Sequence, residues 1–242
     1  MSEPSTERST PIPEFRCALI VGAGQGLSAA IARLFARYGM QVALASRQPE
    51  KLASVCKEIG GQAFSCDAAD PDDVQRLFAE VDGAMCEPDV VVYNASGRVR
   101  GPIADLDPAQ VERSLAVTAY GGFLVGQQAV RRMLPHKHGA ILFTGASASV
   151  KGYPHSAPFA MGKFALRGLA QSMARELSPQ GIHVAHFVID GAIAQPGRTS
   201  TSTLPDSMLD PEAIAVNYLH VLRQPRSAWT WEMEVRPWVE KF

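Results

Sequence analysis

Short apolar runs alternate with helical patterns along this sequence, and no other feature restricts its fold as strongly. The strand-like runs begin at Cys17, Gln41, Gln62, Asp89, Ala140, His183 and Glu232. Between them, apolar residues recur every three or four positions, as they do over residues 27–38. An alternation of this kind favours a parallel sheet that is covered by helices on both faces. The sequence therefore predicts an α/β fold with a doubly wound, mostly parallel sheet of about seven strands.

Asp-Pro pairs mark two helix starts, at positions 70–71 and 107–108. Aspartate can cap the free N–H groups of a first turn, and proline fits the first helical position. The helix from Pro108 is predicted to stop before Pro135, because proline in a helix interior removes a hydrogen bond. A further long helix is predicted over residues 157–177.

The chain is predicted to form one domain, because no internal repeat and no linker interrupts this pattern. Residues 15–242 form that domain, and residues 1–14, which are polar and rich in Pro, Ser and Thr, are predicted to be a disordered tail. Residues 191–210 are rich in Gly, Ser, Thr and Pro and follow the sixth predicted strand. Because ligands bind at the carboxyl ends of strands in open α/β sheets, this segment is the predicted substrate lid.

Charge and cysteine content narrow the classes of partner. Lys and Arg number 23 against 24 Asp and Glu, and this balance argues against nucleic acid and anionic membranes, which both require a basic face. No apolar stretch approaches the ~20 residues of a membrane span.

The four cysteines form no CxxC pair, and no metal site is predicted. Cys17 and Cys66 lie in apolar runs, where buried reduced thiols are expected, so a cytoplasmic location is predicted.

A glycine-rich turn connects the first predicted strand to the first predicted helix. Its residues are Gly22, Gly24, Gln25, Gly26 and Leu27. Glycine allows the backbone to turn tightly and to approach a ligand closely. The N-terminus of the following helix then presents free N–H groups and a positive dipole end to a phosphate. In this context the turn predicts a dinucleotide site rather than a simple strand-to-helix connection.

The spacing of Gly22, Gly26 and Ser28 resembles the glycine motif of the short-chain dehydrogenase/reductase family, and further landmarks follow in order to the end of the chain. Val21 in place of the usual threonine, and Ser28 in place of the last glycine, depart from the family pattern. The resemblance implies a Rossmann fold, a nicotinamide cofactor and a small carbonyl or alcohol substrate. It also implies a homodimer or homotetramer that associates through the helices at 108–134 and 157–177.

Two residues at the end of the second strand favour NADP(H) over NAD(H). NAD-preferring proteins carry an acidic residue there, which binds the ribose hydroxyls. Here the position is Ser46, and Arg47 follows it. A carboxylate would repel a 2′-phosphate, whereas serine and arginine can hydrogen-bond it. The alternative interpretation is that Arg47 is simply a solvated arginine before a helix.

The resemblance assigns further cofactor contacts along the chain. Asp67 corresponds to the family residue that contacts the adenine ring, although it could equally be a loop carboxylate that is bound to local backbone. The remaining assigned contacts are Ala68, Asn94, Ala95, Ser96, Gly191 and Ile193. Asn94, Ala95 and Ser96 match the family segment that lies along the cofactor.

The catalytic pattern of the family is incomplete in this sequence. The family carries Tyr-x-x-x-Lys on a helix, where the tyrosine acts as acid or base and the lysine binds the nicotinamide ribose. Lys163 is present, but Phe159 stands where the tyrosine is expected. The substrate-orienting serine falls at Ala146 or Ser147, and the asparagine of the long helix is Thr118. The Pro-Gly pair after the sixth strand is Asp190-Gly191.

A different group must therefore supply the proton if the chain is an enzyme. The candidates are Ser147, Tyr153, His155 or a water near Lys163, and the loop at 151–155 borders the cleft in this fold. The leading hypothesis is an NADP(H)-dependent oxidoreductase with a modified active site. The alternative is a nucleotide-binding sensor or structural subunit without turnover, and an oligomer scaffold ranks last. The aromatic-rich stretch at 229–238 is expected to hold the last strand and a subunit contact.

Overall fold

A seven-stranded parallel sheet forms the centre of the computed structural model, which describes residues 14–195, 197 and 204–240. Its strands are β1 (Cys17–Val21), β2 (Gln41–Ser46), β3 (Gln62–Ser65), β4 (Val90–Tyr93), β5 (Gly139–Thr144), β6 (Ile182–Ile189) and β7 (Glu232–Val235). Every neighbouring pair of these strands is parallel. The predicted sheet is therefore confirmed.

Helices cover both faces of the sheet. They are α1 (Leu27–Arg37), α2 (Ala53–Ile59), α3 (Pro71–Ala84), α4 (Pro108–Leu115), α5 (Gly121–His136), α6 (Ala157–Leu177) and α7 (Pro211–Leu222). Buried side chains of α1, α2 and α7 join one apolar core, and those of α3, α5 and α6 join a second core on the opposite face. The strands supply buried residues to both cores, so the sheet separates two layers of helices, as the sequence predicts.

The strand order determines where a ligand can bind. The order is β3-β2-β1-β4-β5-β6-β7, so the direction of winding reverses between β1 and β4. In open α/β sheets a crevice forms at the carboxyl ends of the strands at such a reversal. The glycine turn after β1 and the Asn94 segment after β4 both lie at this point.

The helix from Pro108 differs from its prediction in two ways. It is divided by a turn of π-helix at Ala116–Tyr120, and α5 continues through Pro135 to His136. The hydroxyl of Tyr93 donates a hydrogen bond to the carbonyl of Val117 within the π turn, which satisfies a group that a regular helix would pair internally. Pro135 lies in the last turn of α5, which ends at His136 and is followed by Lys137 in the left-handed conformation.

The prediction of a reduced Cys17 is wrong in this structure, because Cys17 forms a disulfide with Cys86. The segment between α3 and β4 returns beside the start of β1, and the Asp89 carboxylate accepts hydrogen bonds from the backbone N–H groups of Arg16 and Cys17 there. The Cα atoms of the two cysteines are 6.2 Å apart. Cys66 is a free buried thiol, and burial raises its pKa to about 12.

Within the described residues, no helix is both long and apolar enough to cross a bilayer.

Candidate functional site

A cavity of about 800 Å³ opens at the carboxyl edge of the sheet. It is lined by the glycine turn, the segments that follow β4, β5 and β6, the loop before α6, and Phe159 and Lys163 of α6. These segments are far apart in the chain, and the parallel sheet brings them together because every strand ends at the same edge. A cavity of this size can hold part of a dinucleotide together with a small substrate.

The glycine turn is held against the Asn94 segment by close backbone packing. Gly22 has a φ of 83°, and a Cβ on it would lie 2.5 Å from the Cα of Ala95. By contrast, a Cβ on Gly24 or Gly26 would meet no atom within 4 Å. Gly22 is therefore required by the fold, whereas Gly24 and Gly26 leave open space for a ligand beside the start of α1.

Ser28, which departs from the family pattern, links this turn to β4. Its hydroxyl accepts a hydrogen bond of 2.6 Å from the Asn94 side chain and lies 3.4 Å from the carbonyl oxygen of Gly22. A glycine could make neither contact. The serine thus adds a polar connection between the two backbone segments that border the predicted phosphate site, and the sequence did not reveal it.

A second cavity of about 390 Å³ lies beside the first and is lined by Arg47, Ser96, Arg98 and Arg113, among others. The Ser46 hydroxyl accepts a hydrogen bond of 3.2 Å from the N–H of Gln48, and Arg47 is exposed at the rim of this cavity. Asp67 accepts from the Ala69 N–H at 3.1 Å and forms an ion pair with Arg113. Sequence reasoning missed Arg113, because nothing local indicates that α4 reaches Asp67.

Lys163 lies at the floor of the larger cavity and is almost fully buried, with an exposure of 3%. Its Nζ donates a hydrogen bond of 2.6 Å to the carbonyl oxygen of Thr144, at the end of β5. Burial, and then the nearby charge of Arg98, lower the pKa of Lys163 to about 7. A lysine in this environment is a polar group that the fold keeps inside the cavity, not a surface residue.

Phe159 lies one helical turn before Lys163 and also lines the cavity. The ring centre is 5.9 Å from Nζ of Lys163 and 4.5 Å from the guanidinium carbon of Arg98. On the π-helical turn, the hydroxyl of the buried Thr118 accepts a hydrogen bond of 2.9 Å from the N–H of Gly97. The π-helical turn therefore presents Thr118 to the segment after β4.

The three candidate proton donors are placed differently. Ser147 and Tyr153 line the larger cavity. Tyr153 is 43% exposed, and its ring lies 5.8 Å from Nζ of Lys151. His155 is exposed, has a φ of 60° and is absent from the described lining, although its carbonyl accepts from the Gly101 N–H at 3.1 Å. The structure thus brings Ser147 and Tyr153 to the cavity with Lys163, but not the side chain of His155.

A buried carboxylate at Asp190 lines the same cavity, and it is exposed by only 3%. Its Oδ2 lies 3.2 Å from Nζ of Lys151 and 3.3 Å from a guanidinium nitrogen of Arg236. These contacts join the loop before α6, the end of β6 and the segment after β7. Sequence reasoning identified Asp190 as a departure but missed its two partners, which come from distant parts of the chain.

The predicted lid is only partly described, since residues 196 and 198–203 lie outside the described residues. Gly191 and Ile193 both line the cavity. Leu209 accepts from the Ala194 N–H and donates to the Ala192 carbonyl, both at 2.8 Å, so it pairs with the start of the segment. The two described ends of the predicted lid, residues 191–195 and 204–210, are therefore joined by these hydrogen bonds beside the cavity.

Behind the cavity, Glu232 of β7 connects the sheet to α6. Its carboxylate binds the Arg167 guanidinium at 2.6 and 2.7 Å and lies 3.1 Å from Nδ1 of His186. Burial lowers the pKa of His186 to about 4, so the ring is neutral near pH 7. This cluster fixes α6, which carries Phe159 and Lys163, against the edge of the sheet.

The residues present fit a nicotinamide dinucleotide. Open space lies beside Gly24 and Gly26 at the N-terminus of α1, where a pyrophosphate would be held by backbone N–H groups. A buried lysine faces the same cavity beyond the segment that follows β4, where a ribose hydroxyl would find a donor. The fold and these residues define a Rossmann-type dinucleotide-binding protein.

Comparison with known proteins narrows this class. The sequence pattern of the short chain dehydrogenase family matches residues 16–205. "Short chain aldehyde dehydrogenase 1" of Euphorbia lathyris is 30% identical over 207 residues, which is 83% of this chain and 71% of that protein. The chain therefore belongs to the short-chain dehydrogenase family.

Solved structures agree with this assignment. A short-chain dehydrogenase from Rhodopseudomonas palustris is 37% identical and has a TM-score of 0.80, covering 93% of this chain and all of that chain. A metagenomic short-chain oxidoreductase in complex with NADP is 29% identical and has a TM-score of 0.79, covering 92% of this chain and 97% of that chain. The similarity thus extends over nearly all of the chain.

Proposed function

We propose that this protein is an NADP(H)-dependent oxidoreductase that acts on a small carbonyl or alcohol substrate with a modified active site. The observation that carries the proposal is Lys163, a buried lysine that lines the same cavity as Gly26 and Leu27 of the glycine turn. Burying an amine costs free energy, and the hydrogen bond to the Thr144 carbonyl uses only one of its donors, so Lys163 can also bind a ligand in the cavity. Membership of the short-chain dehydrogenase family and the NADP in a solved relative support the same conclusion.

The proposed roles of the residues follow their positions. Gly24 and Gly26 admit the pyrophosphate, and Lys163 donates to the nicotinamide ribose. Gln25, Leu27, Ala68 and Asn94 complete the proposed cofactor contacts, together with Ala95, Ser96, Gly191 and Ile193. When bound, the cofactor supplies or accepts a hydride, which is the chemistry that the protein itself does not provide.

The proton on the substrate oxygen is the step that Phe159 leaves open. A phenyl ring has no proton to donate, and a positioned acid or base contributes about 10²–10⁴-fold to the rate of such reactions. Ser147 and Tyr153 line the cavity, and either could donate directly or through a water beside Lys163. His155 remains a candidate only if the loop at 151–155 moves its side chain towards the cavity.

A preference for NADP(H) over NAD(H) is proposed from Ser46 and Arg47. Arg47 is exposed at the rim of the 390 Å³ cavity, with Arg113 in the same lining. The guanidinium group of Arg47 favours an additional phosphate, and Arg113 is paired with Asp67 in the same region. No carboxylate follows β2 directly to bind ribose hydroxyls.

A homodimer or homotetramer through the helices at 108–134 and 157–177 also remains a proposal. It is supported by apolar side chains that are exposed on these segments, namely Tyr120, Phe123, Met161 and Phe164. Exposed aromatic clusters of this kind are typical of protein interfaces. A single domain over residues 15–242 and a lid at 191–210 are proposed on the sequence pattern alone. The proposed cytoplasmic location is supported by the free buried thiol of Cys66 but not by Cys17, which is paired with Cys86.

The decisive experiment measures binding before turnover. Titration with NADPH and NADH, followed by fluorescence, is expected to show tighter binding of NADPH. An absorbance assay with a panel of small aldehydes and ketones is then expected to show NADPH oxidation. Ser147→Ala and Tyr153→Phe would locate the proton donor by the larger loss of turnover. Failure to bind either nucleotide would contradict the proposal.

The second candidate function is a nucleotide-binding sensor or structural subunit without turnover, and Phe159 is the observation that favours it. Phe159→Tyr separates the two candidates, because it restores the hydroxyl that the family uses. If the wild-type protein binds NADPH without oxidising it and Phe159→Tyr gains turnover, the sensor function is favoured. Phe164→Tyr is the matched control, since Phe164 lies on the same helix but is exposed and outside the described lining.

A further inference from the structure

The loop between β5 and α6 brings a tyrosine and a lysine together beside the larger cavity. Tyr153 lines the cavity, and Nζ of Lys151 lies 5.8 Å from the centre of its ring. Hydrogen bonds with the Asp190 carboxylate, and then with the Tyr153 side chain, raise the pKa of Lys151. Lys151 is therefore a charged ammonium group next to a tyrosine that faces the cavity.

Asp190 anchors this lysine from the end of β6. Its Oδ2 lies 3.2 Å from Nζ of Lys151, and the residue is only 3% exposed. Burying a carboxylate costs free energy unless a cation pairs with it. Asp190 and Phe159 are both departures from the family pattern, and both line this cavity. The cavity that lacks the expected tyrosine at position 159 thus contains another tyrosine, with a lysine that a buried carboxylate holds in place.

Backbone hydrogen bonds fix the loop on both sides of Tyr153. The N–H of Lys151 donates to the Ser147 carbonyl at 3.0 Å, and the N–H of Ser156 donates to the Tyr153 carbonyl at 3.2 Å. Pro154 follows directly and disfavours a helical backbone at Tyr153. These constraints limit the positions that the Tyr153 side chain can adopt at the cavity.

We propose that Tyr153 hydrogen-bonds the carbonyl oxygen of the substrate and gives it a proton, and that Lys151 and Asp190 position Tyr153 for this step. The inference rests on the proposed function and deepens it by assigning the proton donor. The proton passes from the Tyr153 hydroxyl to the carbonyl oxygen while the carbonyl carbon takes the hydride, so the carbonyl becomes an alcohol and NADPH is oxidised. The Lys151 ammonium stabilises the phenolate that remains, and solvent returns the proton because Tyr153 is 43% exposed.

Two competing explanations of this cluster make different predictions. Ser147 also lines the cavity, but an aliphatic alcohol is a weaker acid than a phenol. The charged group of Lys151 contacts Tyr153, whereas its backbone N–H contacts Ser147. Alternatively, Asp190 could serve only Arg236, which lies 3.3 Å from its Oδ2. In that case Lys151 could be replaced without any effect on turnover.

The kinetic test follows NADPH oxidation by the full chain with cyclohexanone and with benzaldehyde. Tyr153→Phe is expected to lower kcat by at least about 100-fold and to leave NADPH affinity within about twofold. Lys151→Met is expected to lower kcat by about 10- to 100-fold, and Lys151→Arg, which keeps the charge, by less. Tyr38→Phe and Lys57→Met are the matched controls, because both residues are exposed and lie outside the described lining.

A double-mutant cycle separates positioning from general packing. If Lys151 acts through Tyr153, Lys151→Met should lower the residual kcat of Tyr153→Phe by less than about twofold. Asp190→Asn should behave in the same way as Lys151→Met in both backgrounds. Full, independent losses in the double variants would assign Lys151 and Asp190 to packing and would overturn their positioning role.

A binding measurement makes the result independent of turnover. Isobutyramide, an unreactive compound with a carbonyl oxygen, is titrated into the protein with and without NADPH, and the broadening of its methyl signals is followed by nuclear magnetic resonance. Wild-type protein is expected to bind it, and Tyr153→Phe is expected to weaken binding by about 3- to 10-fold through loss of one hydrogen bond. Tyr38→Phe should leave the affinity unchanged.

The outcomes separate this inference from the proposed function. Unchanged turnover in Tyr153→Phe, or a larger loss in Ser147→Ala, would overturn the assignment of the proton donor. Absence of isobutyramide binding by the wild-type protein would also overturn it. If neither carbonyl compound is reduced but isobutyramide binds through Tyr153, the hydrogen-bond donor stands and the oxidoreductase function fails.

Discussion

The two halves of the larger cavity are built by different means. At the glycine turn the contacts are between backbone segments: the N–H groups of Gly22 and Ala23 both donate to the Ala45 carbonyl at 2.9 Å, and Gly22 packs on Ala95. Around Phe159 and Asp190 the contacts are between side chains, including the Lys151–Asp190 ion pair. We call the part around the glycine turn the nucleotide half and the part around Phe159 and Asp190 the substrate half. The shape of the nucleotide half depends on the spacing of glycines, whereas that of the substrate half depends on which side chains meet across the fold.

This difference determines how each half can change. A backbone site tolerates many side-chain substitutions as long as the turn keeps its shape. A site built from side chains can be altered by one substitution. At position 159, for example, a phenylalanine ring packs against Arg98, whereas a tyrosine would add a hydroxyl group. The proposed nucleotide half therefore depends on the shape of the backbone, and the proposed substrate half depends on the identity of a few side chains.

Lys163 belongs to both halves, so its removal is expected to have the largest effect. Lys163→Met should reduce turnover by about 100-fold or more, because a misplaced ribose misaligns the reacting atoms. Methionine fills a similar volume without a buried charge, so the variant should remain folded. Steady-state kinetics and circular dichroism check both points. Lys57→Met on the exposed side of α2 is the control, and unchanged turnover in Lys163→Met would separate the lysine from the reaction.

Two glycines of the same turn are expected to respond in opposite ways. In Gly22→Ala, the added Cβ meets Ala95 at a positive φ, so the free energy of unfolding should fall by roughly 2–4 kcal/mol. In Gly24→Ala the Cβ meets open space, so stability should change by less than about 0.5 kcal/mol. NADPH affinity should nevertheless fall by about tenfold in Gly24→Ala, because the ligand can no longer approach the backbone closely.

Urea unfolding and NADPH titration measure the two effects separately. Equal loss of stability in both variants would contradict the distinction between Gly22, which packs on Ala95, and Gly24, which faces open space. The nucleotide half would then depend on packing as the substrate half does. Unchanged NADPH affinity in a stable Gly24→Ala would place the pyrophosphate elsewhere.

Arg47→Gln should alter cofactor selectivity without altering the substrate half. Loss of one charge-assisted hydrogen bond should weaken NADPH binding by about tenfold and leave NADH binding within about twofold. The wild-type preference should also weaken as ionic strength rises, because Arg47 is exposed. Fluorescence titration checks this, with Arg37→Gln at the far end of α1 as the control. Equal losses for both nucleotides would assign Arg47 to a contact that they share.

A further expected effect concerns the dependence of stability on pH. Burial lowers the pKa of Lys163 from 10.5 to about 7 in the folded protein. Between these values the unfolded chain binds more protons than the folded chain, so the contribution of Lys163 to stability should rise with pH and level off near 10.5. The free energy of unfolding of the wild-type protein should therefore rise relative to that of Lys163→Met across this window. A constant difference would mean that Lys163 keeps its ordinary pKa.

Much of the fold could be predicted from the sequence, because its signals are local. Apolar runs, Asp-Pro helix starts and the glycine turn identify the strands, the helices and the nucleotide half. The π-helical turn at Ala116–Tyr120 was missed because the carbonyl of Val117 is bound by the hydroxyl of Tyr93, a residue of β4 that is distant in the sequence. The Cys17–Cys86 disulfide was missed for a similar reason, since it requires the segment after α3 to return beside β1.

The substrate half could be predicted only in part. The spacing of Phe159 and Lys163 identified the helix and the departure from the family pattern. The partners of Asp190 and the position of Arg98 over Phe159 could not be predicted, because Lys151, Arg98 and Arg236 lie on separate segments. Side chains that meet only through tertiary structure leave no periodic signal in the sequence.

The Glu232 cluster has a consequence for anyone who re-engineers this protein. Glu232 neutralises Arg167 on α6 and pairs with the buried His186, whose Nε2 has no hydrogen-bond partner among the described residues. Trimming the chain before β7 would leave both groups without their carboxylate and release the helix that carries Lys163. Tags, fusions or circular permutations that disturb β7 should therefore impair the larger cavity from the opposite side of α6, even though no residue of β7 itself lines it.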